Sequence, residues 1–226
     1  MFRTIIKYLR AVREPANTYT HLAGVLLSIP ALVLLIHKSV SVGQATHIVA
    51  FSIFGTSMLL LYLASTLYHM LPVSTKTISI LRRIDHMMIY VLIAGTYTPI
   101  TLIVLQGLTG WIFFSLVWGI ALAGIIFKCV WMHAPKWISL VLYLSMGWMA
   151  IFFLPMAWDN LKGNGMWLII TGGVMYSVGA ILYAAKWPNP SKEYFNFHAI
   201  WHLFVLAGSF CFFWLMYDYV IYLNAG

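Results

Sequence analysis

The chain has 226 residues, of which 62% are hydrophobic and only 8% charged, with a net charge of +8 and a mean hydropathy of +0.90. That balance excludes a soluble domain, whose surface needs far more charge. It points to an integral membrane protein, embedded over most of its length and with no room for a second domain.

The first residues, MFRTIIKYLRAVREP, place Phe2, Ile5, Ile6, Leu9 and Val12 on one helical face and Arg3, Lys7 and Arg10 elsewhere. This spacing predicts a short amphipathic helix over residues 1–15, lying on the leaflet and ending before Pro15. No small-residue cleavage pattern follows, so the segment does not read as a signal peptide. Residues 16–226 form the membrane domain. Seven apolar stretches follow, each long enough to span as a helix: Thr20–Ile36, Thr46–Met70, Asp85–Leu105, Trp111–Val130, Trp137–Ala157, Met166–Ala185 and Phe197–Tyr222. The connections Pro72–Arg83, Gln106–Gly110, His133–Lys136, Asp159–Gly165 and Trp187–Asn196 are too short for a folded soluble domain. The alternating polarity of β-barrel strands is absent. The expected fold is all-α, a seven-transmembrane helix bundle.

Within the spans, Pro99 is expected to kink the third helix, with Thr96, Thr98 or Thr101 re-satisfying freed backbone groups. Gly119/Ala123 and Gly173/Ser177 read as small-residue helix contacts. Trp111, Trp137, Trp158 and Trp167 read as interfacial anchors. Cys129 and Cys211 should lie about 20 Å apart in depth, too far for a disulfide, and read as packing residues.

Eleven of the 13 basic residues fall on one side of this threading: Arg3, Lys7, Arg10, Arg13, Lys76, Arg82, Arg83, Lys128, Lys136, Lys186 and Lys192. Lys38 and Lys162 remain for the other. The positive-inside rule then predicts a cytoplasmic N-terminus and an external C-terminus in a multi-pass protein of the cell membrane. The positive charge is therefore a topology signal, with some attraction to anionic headgroups, and implies no nucleic-acid partner.

The same threading brings four polar residues to one membrane face. His69 closes the second span, Asp85 opens the third, and His198 and His202 open the seventh. His198 and His202 are four apart and share a helix face, as do Ser65 and His69, with Ser65 one turn deeper. Three imidazoles with one open position suit zinc, although copper or nickel would bind the same nitrogens. Asp85 would hydrogen-bond a water at the open position or ligate directly. The bland alternative is that each histidine is a hydrogen-bonded packing residue, and His21, His37, His47, His86 and His133 are assigned mainly to that class.

At these residues the chain resembles the haemolysin III proteins, the bacterial branch of the progestin and adiponectin receptor (PAQR) family. Glu14, Asn17 and His21 match the family's Glu-x-x-Asn-x-x-x-His motif. Ser65, His69 and Asp85 match its Ser-x-x-x-His and Asp, and His198 and His202 match its His-x-x-x-His. The resemblance runs over essentially the whole chain. It implies a buried zinc near the cytoplasmic face held by His69, His198 and His202, with Asp85 on the zinc-bound water and Ser65 lining the site. Grouping of the family with alkaline ceramidases implies hydrolysis of lipid amides. The motif of Glu14, Asn17 and His21 carries no chemistry readable from sequence, beyond tying the N-terminal segment to the cytoplasmic mouth.

Three function classes stand against each other. The first is a zinc-dependent hydrolase of lipid amides or esters, with a membrane lipid as substrate, Asp85 as general base and a role in membrane lipid homeostasis. The second is a non-catalytic sensor or receptor-like protein whose zinc staples helices two and seven together. The third is a haemolysin-like pore or a transporter, poorly served by span centres that lack Lys, Arg, Asp and Glu and by the lack of an internal repeat. A G-protein-coupled receptor needs the opposite orientation, and a retinal pump needs a lysine in the middle of its last helix.

Overall fold

Long apolar runs without breaks leave the backbone one way to satisfy itself in a bilayer, which is to form helices. The computed structural model describes residues 12–42, 44–131, 134–161, 163–191 and 195–224. Seven helical segments are long and apolar enough to cross a membrane. They comprise α1 (Pro15–Val42), α2 (Ala45–Met70), α3 (Thr75–Pro99), α4 (Gly107–Val130), α5 (Lys136–Trp148), α6 (Ala150–Ala157), α7 (Asn164–Ala185) and α8 (Phe197–Asp218). A π-helical turn, Ile100–Leu105, extends α3, α5 and α6 together make the fifth span, and a 3₁₀ turn, Val220–Tyr222, ends the seventh. The only strand-like pairing among the described residues is an isolated bridge between Ser191 and Phe195. The fold is the expected all-α seven-span bundle, and the chain is a multi-pass membrane protein. The amphipathic helix expected at the N-terminus falls mostly on residues 1–11, which lie outside the described ones.

The helices close into a ring. Each of α1 to α4 packs on the next, α3 and α7 both touch α5, α7 packs on α8, and α8 returns to α1. The second and third spans are the most enclosed, and the other five give more of their surface to the outside. On α4 that surface is apolar, with Leu108 78%, Ile112 55%, Leu122 59% and Ile126 54% exposed, as contact with lipid requires. Trp111, Trp137, Trp158 and Trp167 are likewise exposed.

The first and third spans have boundaries that differ from the sequence expectation. The third helix begins at Thr75, not Asp85, because Ser74 caps it by accepting from Thr77 N at 3.3 Å. Its first turns hold Lys76, Arg82 and Arg83 and are too polar for a hydropathy window, yet they are helical. The expected loop Pro72–Arg83 therefore shrinks to a few residues. Helix α1 spans 28 residues, about 42 Å against a hydrocarbon core of about 30 Å, so it outruns the expected Thr20–Ile36 at both ends. Pro99 ends α3 and hands over to the π turn; Thr96, Thr98 and Thr101 donate to Leu92 O, Ala94 O and Tyr97 O, as side chains near a proline break should.

The fifth span breaks between Trp148 and Ala150. The buried Tyr97 hydroxyl fills that break: it donates to Gly147 O at 2.5 Å and accepts from Ala150 N at 2.9 Å. The helix contacts also differ from expectation. A Cβ built on Gly119 or Gly173 meets nothing within 4 Å, so these are not contact glycines. Close approaches fall at other glycines, among them Gly110, where a Cβ would meet the Thr101 carbonyl oxygen, and Gly172, pressed on Phe212. Small-residue spacing alone does not say which helix face meets a neighbour.

Candidate metal centre

The site is assembled where the start of α1, the end of α2 and the start of α8 converge. The last carbonyls of α2 have no partners within their own helix. The chain entering α1 supplies donors: Glu14 N to His69 O at 3.1 Å and Arg13 N to Met70 O at 3.2 Å, with the Arg13 guanidinium on Tyr68 O. Arg13 also lies over the Tyr68 ring, 4.6 Å from its centroid. At the other helix, Asn196 Oδ1 accepts from His198 N at 3.0 Å and Ala199 N at 3.2 Å, an N-cap that fixes where α8 begins. His198 thus sits in the first turn and His202 one turn deeper.

His69, His198 and His202 come together, with one ring nitrogen from each lying within 4.8 Å of the others. His69 and His202 are buried, at 1% exposure each. The rings meet edge-on, His69 to His198 at 4.8 Å between centroids and His198 to His202 at 4.7 Å. The far nitrogens of two rings are already held. His69 Nδ1 is 2.6 Å from Glu14 Oε2, and His202 Nδ1 is 3.1 Å from Asn17 O and 3.0 Å from Thr20 Oγ1. Thr20 Oγ1 itself donates to Ala16 O at 2.8 Å, so it accepts from His202. Both rings then carry their proton on Nδ1 and present Nε2. The Nε2 of His69 is buried with no protein partner. Such an orphaned atom is what a metal ligand looks like without its ion, and with His198 and His202 it makes a group that could hold a metal ion. Tetrahedral ligands at about 2.0–2.1 Å stand roughly 3.4 Å apart, so side-chain adjustments of about an ångström would close the site.

The motif without readable chemistry finds its place here. Glu14, Asn17 and His21 recur at i, i+3 and i+7, one face of a helix start. Glu14 Oε2 accepts from His69 Nδ1 and also from Asn17 Nδ2 at 2.8 Å, with Arg13 Nη2 3.3 Å from its other oxygen. Burial alone would raise the Glu14 pKa, but the hydrogen bonds from His69 and Asn17 and the Arg13 guanidinium beside it outweigh burial and hold the carboxyl at about 2. It is therefore an anion at any ordinary pH. A carboxylate behind a ligating imidazole orients the ring and raises its basicity. His21, expected to be a packing residue, stacks its ring on His202 at 3.5 Å and 12° and so fixes the plane of that imidazole. The spacing of these three residues was visible in sequence, but their partners 55 and 185 residues away were not.

Asp85 does not open its helix, as the sequence suggested. It lies ten residues inside α3, buried at 7% exposure, because α3 starts earlier than hydropathy indicates. It is not in the group of ligand atoms, which contains the three histidines alone. It stands beside Ser65, whose Oγ is buried without a full hydrogen bond, and within electrostatic reach of His69. Both line the cavity that the histidines border. That cavity has a volume of about 680 Å³. Its polar end holds Ser65, Asp85, His198 and His202, and its remainder runs past Leu92, Ile100, Phe153 and Phe212 between α3, α5, α6, α7 and α8. Cys129 and Cys211 are free thiols, as expected, but Cys129 is exposed and not a packing residue.

Comparison with known proteins agrees with this architecture. The family model described as "Haemolysin-III related" matches residues 9–213. The chain belongs to the haemolysin III family. It is 46% identical over 210 residues to "Hemolysin-3" of Bacillus cereus, covering 92% of each chain. It is 48% identical over 208 residues to a "Hemolysin-3 homolog" of Bacillus subtilis (strain 168), covering 92% of this chain and 94% of that one. A more distant relative, at 30% identity over 217 residues, is the human "Monocyte to macrophage differentiation factor", with 91% and 83% covered.

Proposed function

We propose that the protein is a zinc-dependent hydrolase of lipid amides or esters, serving membrane lipid homeostasis, with its site at the cytoplasmic face. One observation carries the reading: three imidazoles converge, two of them lining the polar end of a largely apolar cavity that a buried carboxylate also lines. Zinc suits the donor set, and when bound it would supply a Lewis acid that lowers the pKa of a water to about 7 and polarises a carbonyl oxygen. His69, His198 and His202 would hold it. Glu14 and Asn17 keep two of the rings in the tautomer that offers Nε2.

The chain's own residues supply the rest. Asp85 takes the proton of the attacking water and returns it to the leaving amine or alkoxide. Ser65 orients Asp85 and shares its hydrogen bonding. The apolar walls hold the acyl chain and keep bulk water out, so that charge developing at the carbonyl is not screened. A volume of about 680 Å³ falls in the usual range for pockets that enclose a ligand. The basic residues named above support the cytoplasmic placement through the positive-inside rule.

The sensor reading, in which zinc only staples α2 to α8, leaves Asp85 and the cavity without a purpose. The test is a panel of lipid amides and esters presented to the protein in nanodiscs, zinc-loaded and zinc-stripped. Zinc-dependent release of fatty acid from one class is the expected result. Equal rates for loaded and stripped protein across the panel would favour the sensor.

A further inference from the structure

The cavity has a second polar group that the chemistry above does not use. Lys128, in the last turn of α4, is only 2% exposed and donates to Ser139 Oγ on α5. Arg82 on α3 lines the same space, and the two cations are near enough for their like charges to interact. Arg82 Nε is buried with no partner. Among the described residues no carboxylate oxygen lies within 4.0 Å of either cation.

These charges exceed what orientation requires. Lys76 and Lys186 on the same face are exposed and do not line the cavity, which is how a topology signal behaves. A buried ammonium beside a half-buried guanidinium that lines the same cavity, with no carboxylate to meet either, is costly, and a costly polar group kept in a membrane protein marks a site for a ligand. Arg82 is one helical turn from Asp85, about 4.5 Å along the axis. An anion held there would lie a few bonds from a carbonyl placed at Asp85 and the histidines. A guanidinium, an ammonium and a hydroxyl together match a phosphate, whose several oxygens can take all three donors.

We propose that Arg82 and Lys128, with Ser139, bind the phosphate head of an acyl lipid whose chains enter the apolar part of the cavity. The substrate class is then a phosphate-bearing acyl lipid in preference to a neutral one. That last step rests on the hydrolase reading; the binding does not.

The test is equilibrium binding to the full-length protein in detergent, using ligands that cannot be hydrolysed. Short-chain ether-linked phosphatidic acid is compared with the matching ether-linked diglyceride and with inorganic phosphate. The wild type should bind the phosphate-bearing lipid at least about tenfold more tightly than the diglyceride, the usual worth of a hydrogen bond to a charged group. Lys128→Met and Arg82→Gln should each erase most of that preference, and Lys76→Gln should keep it. If Lys128→Met does not fold, Arg82→Gln decides alone. Equal binding of the two lipids, or a preference that survives in the folded variants, would overturn the proposal. So would inorganic phosphate binding as tightly as the lipid, which would mark an ion site. Because the ligands are inert and no turnover is read, failure here leaves the hydrolase reading to its own assay.

Discussion

Glu14 offers the sharpest perturbation of the centre, because it acts on the metal only through His69. Its Oε2 is 2.6 Å from His69 Nδ1, the length of a charge-assisted hydrogen bond, and is also held by Asn17 at 2.8 Å. Carboxylates in this position are worth about 10–100-fold in metal affinity, or about 1.4–2.7 kcal/mol. Glu14→Gln keeps an acceptor for His69 but removes the charge, so it should weaken zinc by about tenfold. Glu14→Ala removes both and should approach a hundredfold. Neither change touches the Glu14 N to His69 O bond at the end of α2, so the fold should survive. Competition of the purified variants with a chelator of known affinity reads the effect directly. Two results refute the reasoning: zinc affinity unchanged in both variants, or a loss in Glu14→Gln as complete as in His69→Ala, which would make Glu14 a ligand itself.

Other outcomes follow from the same structure. His198→Ala and His202→Ala should lose most of the bound zinc and melt earlier, since metal binding couples to folding; zinc analysis and thermal denaturation read both. Gly110→Ala should destabilise by about 1–3 kcal/mol because its Cβ meets a backbone carbonyl, while Gly119→Ala should be neutral or better, as a pair of melting curves would show. Tyr97→Phe strips the break in the fifth span of its hydroxyl and should cost about 1–3 kcal/mol by leaving Gly147 O and Ala150 N unpaired. Reporter fusions should find the C-terminus external and the N-terminus cytoplasmic; both ends on one side would contradict the threading.

What the sequence made legible was what hydropathy and helical spacing encode. The ends of α2 and α4 and the start of α8 fall where the apolar runs stop, and odd-numbered threading was enough to bring His69, His198 and His202 to one face. What it concealed depends on three-dimensional partners. The first turns of α3 are helical because Ser74 caps them, yet they are too polar to register as a span, so Asp85 seemed to open a helix that it enters ten residues late. Glu14, Asn17 and His21 share a face at the start of α1, but only the return of α8 and the end of α2 gives that face a purpose. A Cβ on Gly119 or Gly173, which follow the contact spacing, would meet nothing within 4 Å, whereas Gly110 and Gly172, off that spacing, are among the glycines pressed by a neighbour. Lys128 and Arg82 read in sequence only as part of the charge asymmetry, while their place on the cavity wall stayed invisible.

The most direct test of the central claim separates the metal from the chemistry. Asp85→Asn keeps the size and polarity of the side chain and removes its basic lone pair, and Asp85 stands outside the group of ligating nitrogens. Zinc content and lipid hydrolysis are measured on the same preparation, beside the wild type. Full zinc with turnover reduced by roughly 10²–10⁴ is the predicted result, the usual worth of a general base. Full zinc with undiminished turnover, or a zinc-loaded wild type that hydrolyses no lipid amide or ester faster than the stripped protein, would contradict it.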